Sequence, residues 1–280
     1  MAAQSGVQIK WCTVTCGTCT AVIRAKDTET GQSVAIIKLF RPFHNPDRAK
    51  QTYRELKLLM YLYHPDIDII QLYNVFTPEK NVDDFSTLYF VFNFVDYNLR
   101  QVIKRGKPFS EDHIKQIICS LLRALKYIHS AGIIQRDLKP ENIGIDQDSN
   151  VAILDFGVAR IASDGIQTGY VVTRYIRNFA FILQNILKNS FIIVLIYLID
   201  LLSFDTRRRP TAQEALTHPF LKTYHRLEDE PTANPVVDEH QDAEYSVAKW
   251  KSIIWKMVQD FVPPQFRIND NPNPIHETKR

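Results

Sequence analysis

A chain of 280 residues and 32.5 kDa with 45% hydrophobic content has the material for one large domain or two small lobes around a sizeable core, which excludes a small stapled scaffold. Its 34 lysines and arginines stand against 31 aspartates and glutamates, a net charge of +3 with no basic run or arginine-rich arm, so charge gives no support to nucleic-acid binding. Only four cysteines occur, three of them crowded at Cys12, Cys16 and Cys19, and the opening residues have no apolar core of signal-peptide length, so the chain reads as intracellular and without a disulfide framework.

In chain order, Ala21 to Lys26 and Ser33 to Phe40 are expected as strands of an antiparallel hairpin, joined by the turn formers Asp27-Thr28-Glu29-Thr30-Gly31. A helix follows, with Asn45 as cap, Pro46 at the first helical position, and Thr52, Leu56, Leu59 and Tyr63 at helical spacing. Thr87 to Phe94 is nearly all apolar, as a strand covered on both faces would be. From Ser110 to about Ser130 the pattern predicts a long helix, with Ile114, Ile117, Ile118, Leu121, Leu122, Leu125 and Ile128 on one face and Gly132 placed to end it. Two short strands, Asn142 to Ile145 and Val151 to Leu154, are linked by a polar turn.

Phe179 to Leu202 is rich in apolar residues, but Lys188 and Asp200 interrupt it, and its unbroken run Phe191 to Ile199 is far below the ~20 residues that span a bilayer. A buried helix is the expectation there, with a membrane-associated helix as the alternative. The acidic stretch Glu228 to Glu244, with Pro231 and Pro235, reads as a surface-hugging linker. It leads to an amphipathic stripe over Val247 to Phe261, expected to dock on the protein itself, with a partner groove or membrane surface as the alternative.

Chemistry concentrates between Ile133 and Gly157. The run Gln135-Arg136-Asp137-Leu138-Lys139-Pro140-Glu141-Asn142 and then Asp155-Phe156-Gly157 place carboxylates, a lysine and an amide on neighbouring loops at strand ends. Asp137 is suited to accept a hydroxyl proton, Lys139 to neutralise a transferring phosphoryl group, and Asn142 with Asp155 to hold Mg²⁺.

With Val34-Ala35-Ile36 and the Thr15 to Val22 loop upstream, these segments resemble, in order, the signature set of protein kinases. More narrowly, Thr168-Gly169-Tyr170, Arg41-Pro42-Phe43, Thr52-Tyr53-Arg54-Glu55-Leu56 and Leu125-Lys126-Tyr127-Ile128-His129-Ser130 resemble stress-activated mitogen-activated protein kinases of the TGY subgroup. The likeness runs from Val14 to Arg177 and resumes from near Leu201 to about Pro264. It implies a two-lobed α+β fold: a small β-rich lobe over 1–95, a shortened helical lobe over 96–224, and a tail over 225–280 with an acidic docking segment and an amphipathic helix.

The same resemblance implies phosphorylation of serine or threonine in proteins, before proline, with ATP and Mg²⁺. Asp137 and Lys139 become catalytic residues, Asn142 and Asp155 metal ligands, and Val14, Gly17, Val22, Ala35, Lys38 and Glu55 the ATP site. Thr168 and Tyr170 become phosphoregulatory targets of an upstream dual-specificity MAP kinase kinase, with Arg54, Arg136 and Arg174 matching the family's phosphate-receiving arginines. Glu228, Asp229 and Glu230 resemble the patch that grips docking motifs of protein substrates and activators. The cytoplasm, and also the nucleus, is the implied location; nucleic acid and membrane are not implied partners.

Departures from the family pattern bear on activity. Isoleucine (Ile37) stands where V-A-I-K has its lysine, and Lys38 follows one residue late, which in a strand means the opposite face. Lys38 would reach Glu55 only through a bulge or a rearranged strand; otherwise Glu55 is an ordinary helix carboxylate. The glycine-rich loop keeps only Gly17 and Val22, with Thr15 and Thr20 where close phosphate approach wants glycine. The spacing of Cys12, Cys16 and Cys19 resembles an iron–sulfur motif, but a hairpin would send these side chains to different faces. Gln135 replaces the histidine of H-R-D, a survivable change to packing and hydrogen bonding, while Phe92 and Asn98 alter the fit around adenine and ribose. After Arg177, Asn178-Phe179-Ala180 replaces A-P-E, and roughly a hundred residues of the expected pattern are missing before Leu201, leaving Arg209 without its glutamate partner. Three readings stay open: a kinase of impaired activity, a catalytically dead pseudokinase that serves as docking or scaffold module, and a splice or decayed form that does not fold.

Overall fold

A computed structural model of the chain describes residues 12–16, 20–28, 30–106, 109–146, 149–162 and 210–264. In chain order the strands are β1 (Cys12–Cys16), β2 (Thr20–Lys26), β3 (Ser33–Leu39), β4 (Leu72–Phe76), β5 (Leu88–Asn93), β6 (Tyr97–Asn98), β7 (Ile133–Ile134), β8 (Ile143–Ile145), β9 (Val151–Ile153) and β10 (Arg160–Ile161). The helices are α1 (Pro46–Tyr61), α2 (Leu99–Lys104), α3 (Glu111–Ser130), α4 (Ala212–Leu216) and α5 (Val247–Gln259). Of the described residues, those up to Tyr63, Gln71–Phe94 and those from Asp242 onward form one compact unit; His64–Ile70 and Val95–Gln241 form the other.

The first unit is an antiparallel sheet of order β1-β2-β3-β5-β4 with α1 and α5. Its predicted hairpin is β2–β3, closed by the Asp27 amide donating to the Gln32 carbonyl at 2.8 Å, with Gly31 in the left-handed region at φ 72. Alternation along these strands buries Ile23, Ala25, Val34, Ile36 and Val91 in one cluster, against which Tyr73, Phe76 and Tyr89 pack. The Asn45 side chain caps α1 by accepting from the Arg48 amide at 2.8 Å, with Pro46 in the first turn. The helix ends at Tyr61, so Tyr63 falls outside the expected stripe; Pro65 disfavours helical backbone at His64 and closes off any longer helix. The amphipathic stripe of α5 docks on this unit, as expected: Trp250 is buried with its ring 5.0 Å from that of Tyr53, and Trp255 meets Phe85 edge-on at 5.3 Å.

In the second unit α3 runs over the predicted span, capped by Ser110 accepting from the His113 amide at 3.2 Å, and all seven residues of the predicted apolar face are buried. Gly132, at φ 72, ends it. Strands β6, β8 and β9 form a three-stranded sheet in that order, and β7 pairs with β10. Gly144 in β8 permits this packing, since a Cβ there would lie 2.7 Å from Val95 Cγ1 and 2.9 Å from Leu154 Cδ2. The tail hugs this unit's surface: the Ala233 amide donates to Ser130 Oγ at 2.8 Å and the Val236 amide to the Ala131 carbonyl at 2.9 Å.

Phe179 to Leu202, the Thr168-Gly169-Tyr170 motif, Gly17, Cys19, Arg174 and Arg209 lie outside the described residues. Among the described residues no helix is long and apolar enough to cross a membrane.

Candidate active site

Two loops carry the chemistry, and both are pinned at each end by strand pairing. Residues 135–142 run from β7 to β8 and residues 154–159 from β9 to β10; Ile134 stands opposite Arg160, and Ile143 opposite Ile153. The Leu154 amide adds a bond to the Asn142 carbonyl at 2.9 Å. Antiparallel pairing therefore sets the loops side by side.

Between them lies Gln135, only 2% exposed. Its Nε2 donates to the Asp155 carbonyl at 2.7 Å, and its Oε1 accepts from the Asp137 amide at 2.8 Å. In front of this bridge the Asp137 carboxylate accepts on Oδ2 from Lys139 Nζ at 2.5 Å and from Asn142 Nδ2 at 2.9 Å, the latter also donating to the Asp137 carbonyl at 2.9 Å. The hydrogen bond to Asp137 raises the Lys139 pKa, ahead of an opposing desolvation, so the ammonium holds its proton. Asp155 Oδ1 accepts from the Gly157 amide at 2.8 Å. Arg136 sits at φ 70, a left-handed backbone that costs about 1–3 kcal/mol in a non-glycine residue, and its Nε donates to the Val158 carbonyl at 2.8 Å. Four predicted residues, Asp137, Lys139, Asn142 and Asp155, thus belong to two directly linked loops.

The residues predicted for nucleotide in the first unit divide between two sheet faces. Val22 pairs with Ile37, and Ile37 with Phe90, so Val22, Ala35 and Ile37 share a face. Lys38 pairs with Ala21 and Tyr89 on the other, its ammonium 5.6 Å from the Tyr89 ring centroid. The register of β3 with both neighbours runs unbroken from Ser33 to Leu39 on β2 and from Val34 to Leu39 on β5, so no bulge returns Lys38 to the face of Ile37. Val14 pairs with Ile23 in β1–β2, and Glu55 lies half-buried on α1. Phe92 packs edge-on to Phe90 at 5.9 Å, and Asn98 is spent as the cap of α2 in a reciprocal bond with Gln101.

The acidic tail segment is split in two. Glu228 is exposed and Asp229 half-exposed, the latter 3.8 Å from Arg123 Nη1. Glu230 turns inward, its side chain 1% exposed, with Lys126 Nζ at 3.0 Å and His225 Nε2 at 3.1 Å. Sequence reasoning placed all three acids in one patch and treated Gln135 as a tolerated loss; the donor and acceptor carried by one amide was the available signal for its bridging position.

Residues 13–180, which carry these paired loops with their two aspartates, lysine and asparagine, match the protein kinase domain family. The chain is 33% identical to Mitogen-activated protein kinase 12 of Mus musculus, covering 88% of this chain and 86% of that protein. It is 32% identical to Mitogen-activated protein kinase 14 of Xenopus laevis, over 87% of each, and 34% identical to Mitogen-activated protein kinase pmk-1 of Caenorhabditis elegans, over 86% of this chain and 82% of that one. The chain belongs to the mitogen-activated protein kinase family.

Proposed function

We propose that the chain is a serine/threonine protein kinase of the stress-activated type whose phosphoryl transfer is attenuated at β3 while its catalytic loops are intact. The unbroken register that sends Lys38 to the face opposite Ile37 carries this reading. Phosphoryl transfer is positioning and charge stabilisation, and one lost preorganised donor costs about 3 kcal/mol, a hundredfold or more in rate. Asp137, bonded through Oδ2 to Lys139 and Asn142, orients and accepts the proton of a substrate hydroxyl; Lys139, held protonated, faces the charge of the transferred group.

The side-chain oxygens of Asn142 and Asp155 are hard donors that suit Mg²⁺ and would hold it. When bound, the cation neutralises phosphate charge. Alignments that run over 320 positions against a chain of 280 residues support an internal loss relative to the relatives, which we place after Arg177. Thr168 and Tyr170 are the proposed targets of an upstream dual-specificity MAP kinase kinase.

A second reading, a docking or scaffold module without catalysis, is favoured by the tail: Glu228 and Asp229 are displayed beside an anchored Glu230 and need no nucleotide. Thermal unfolding with and without Mg-ATP separates the two, since ligand at 100 times its dissociation constant adds about 2.7 kcal/mol. A rise in midpoint, with phosphoryl transfer lost in Asp155→Asn, supports the kinase. No rise, with capture of basic docking peptides abolished by charge reversal at Glu228 and Asp229, leaves the module.

A further inference from the structure

Alternation puts Val22, Arg24 and Lys26 of β2, Ser33, Ala35 and Ile37 of β3, and Phe90 and Phe92 of β5 on one face of the first unit's sheet, with Arg24 opposite Ala35 and Ala35 opposite Phe92. The ladder of β5 ends at Asn93. This residue pairs with Val34 on one side; on the other, the Gln71 amide donates to Asn93 Oδ1 at 2.7 Å and the Asn93 amide to the Gln71 carbonyl at 3.2 Å. Phe94 lies one residue past that ladder. Its ring is covered by Arg24, whose Cζ stands 4.2 Å from the centroid, while Nη2 of the same guanidinium donates to Ser33 Oγ at 3.3 Å. Among the described residues no carboxylate pairs with Arg24.

A guanidinium is planar with its donors in the plane, so it rests on a ring face and still donates sideways to a hydroxyl. We propose that Arg24 is a positioning residue that extends the order of the sheet past the end of its ladder, clamping Phe94 within the stretch from Phe92 to Asn98 that the kinase reading sets around adenine and ribose. Arg24, Ser33, Gln71, Asn93 and Phe94 all belong to the first unit. Neither Ile37 nor Lys38 takes part, so the clamp is independent of the charge displaced at β3. Its part in nucleotide binding rests on the kinase reading above; the clamp itself does not.

Backbone hydrogen–deuterium exchange of the full chain reads the clamp without nucleotide. Arg24→Met keeps an apolar stem and removes the cation, and the Phe94 and Val95 amides should exchange about threefold faster while α1 and α3 keep their rates. Phe94→Leu keeps apolar bulk and removes the π face; it should do the same, and the two changes together no more than either, because both remove one interaction. Arg24→Lys, which keeps a charge over the ring, should recover most of the protection. Unchanged exchange at Phe94 and Val95 in Arg24→Met overturns the inference. So do additive effects in the double variant, or an equal rise all along β2 and β3. In steady-state transfer from Mg-ATP, Arg24→Met should raise KM about threefold with kcat moving less; a loss confined to kcat removes Arg24 from the nucleotide site. If Mg-ATP binds neither protein, the kinase reading falls and the nucleotide role with it, while the exchange results still decide the clamp.

Discussion

Replacing Lys126 by Met should be among the most damaging single changes in the second unit. Glu230 is sealed to 1% side-chain exposure with Lys126, itself 10% exposed, at 3.0 Å, and His225 Nε2 at 3.1 Å. Removing one partner of such a buried pair leaves an uncompensated carboxylate and costs about 3–5 kcal/mol, whereas replacing both by apolar groups of similar volume is often neutral or stabilising. Lys126→Met alone should therefore lower the unfolding free energy by about 3–5 kcal/mol, and Lys126→Met with Glu230→Leu should recover most of it. Urea denaturation of the full chain at pH 7.5 reads both. A single-variant loss under about 1 kcal/mol, the range of exposed ion pairs, would refute the reasoning by showing that water reaches Glu230.

Exchanging the two residues of β3, Ile37→Lys with Lys38→Ile, puts a cation on the face of Val22 and Ala35 and an isoleucine on the face of Ile36 and Val91. Single-turnover phosphoryl transfer from Mg-ATP should rise about a hundredfold; an unchanged rate means β3 is not what limits transfer. Burial lowers the His129 pKa from 6.5 to about 4, so the unfolded chain takes up a proton there before the folded one does. Stability should be flat in this respect above pH 6.5 and fall between 6.5 and 4, by about 2 kcal/mol at pH 5; His64, also lowered by burial, adds to the fall, and the raised carboxyl of Asp68 opposes it. His129→Gln should flatten that slope in urea midpoints measured across pH. Trp250→Ala should cost about 3–5 kcal/mol, because its ring fills the contact between α5 and Tyr53; an unfolding free energy lowered by less than a quarter of that would place α5 as a loosely attached helix.

What sequence could show here was mostly local. Asn45 and Pro46, Ser110 and Gly132 mark helix ends within one turn of themselves, and the face of α3 repeats at a period that needs no knowledge of its partner. The order of Asp137, Lys139, Asn142 and Asp155 was legible for the same reason, since short strands on either side set the loops. Lys38 stood halfway: alternation predicts its face, but only the cross-strand partners Ala21 and Tyr89 exclude a bulge. Glu230 was out of reach, because its burial depends on Lys126, 104 residues earlier in the chain, while its own neighbours Glu228 and Asp229 suggested solvent. Gln135 likewise depends on a carbonyl supplied by a different strand pair.

The contacts of the tail with α3 carry an implication for how much chain the loops require. Glu230 meets Lys126, the Ala233 amide donates to Ser130 Oγ and the Val236 amide to the Ala131 carbonyl just past the end of α3, so the tail braces the last turns of that helix. Gln135 begins its loop four residues beyond Ala131. A stretch almost a hundred residues further along the chain thus acts as a splint on the approach to the Asp137 loop. Cutting the polypeptide just before Pro231 would deprive that helix end of its amide donors, and the harm would surface at Asp137 rather than at the cut.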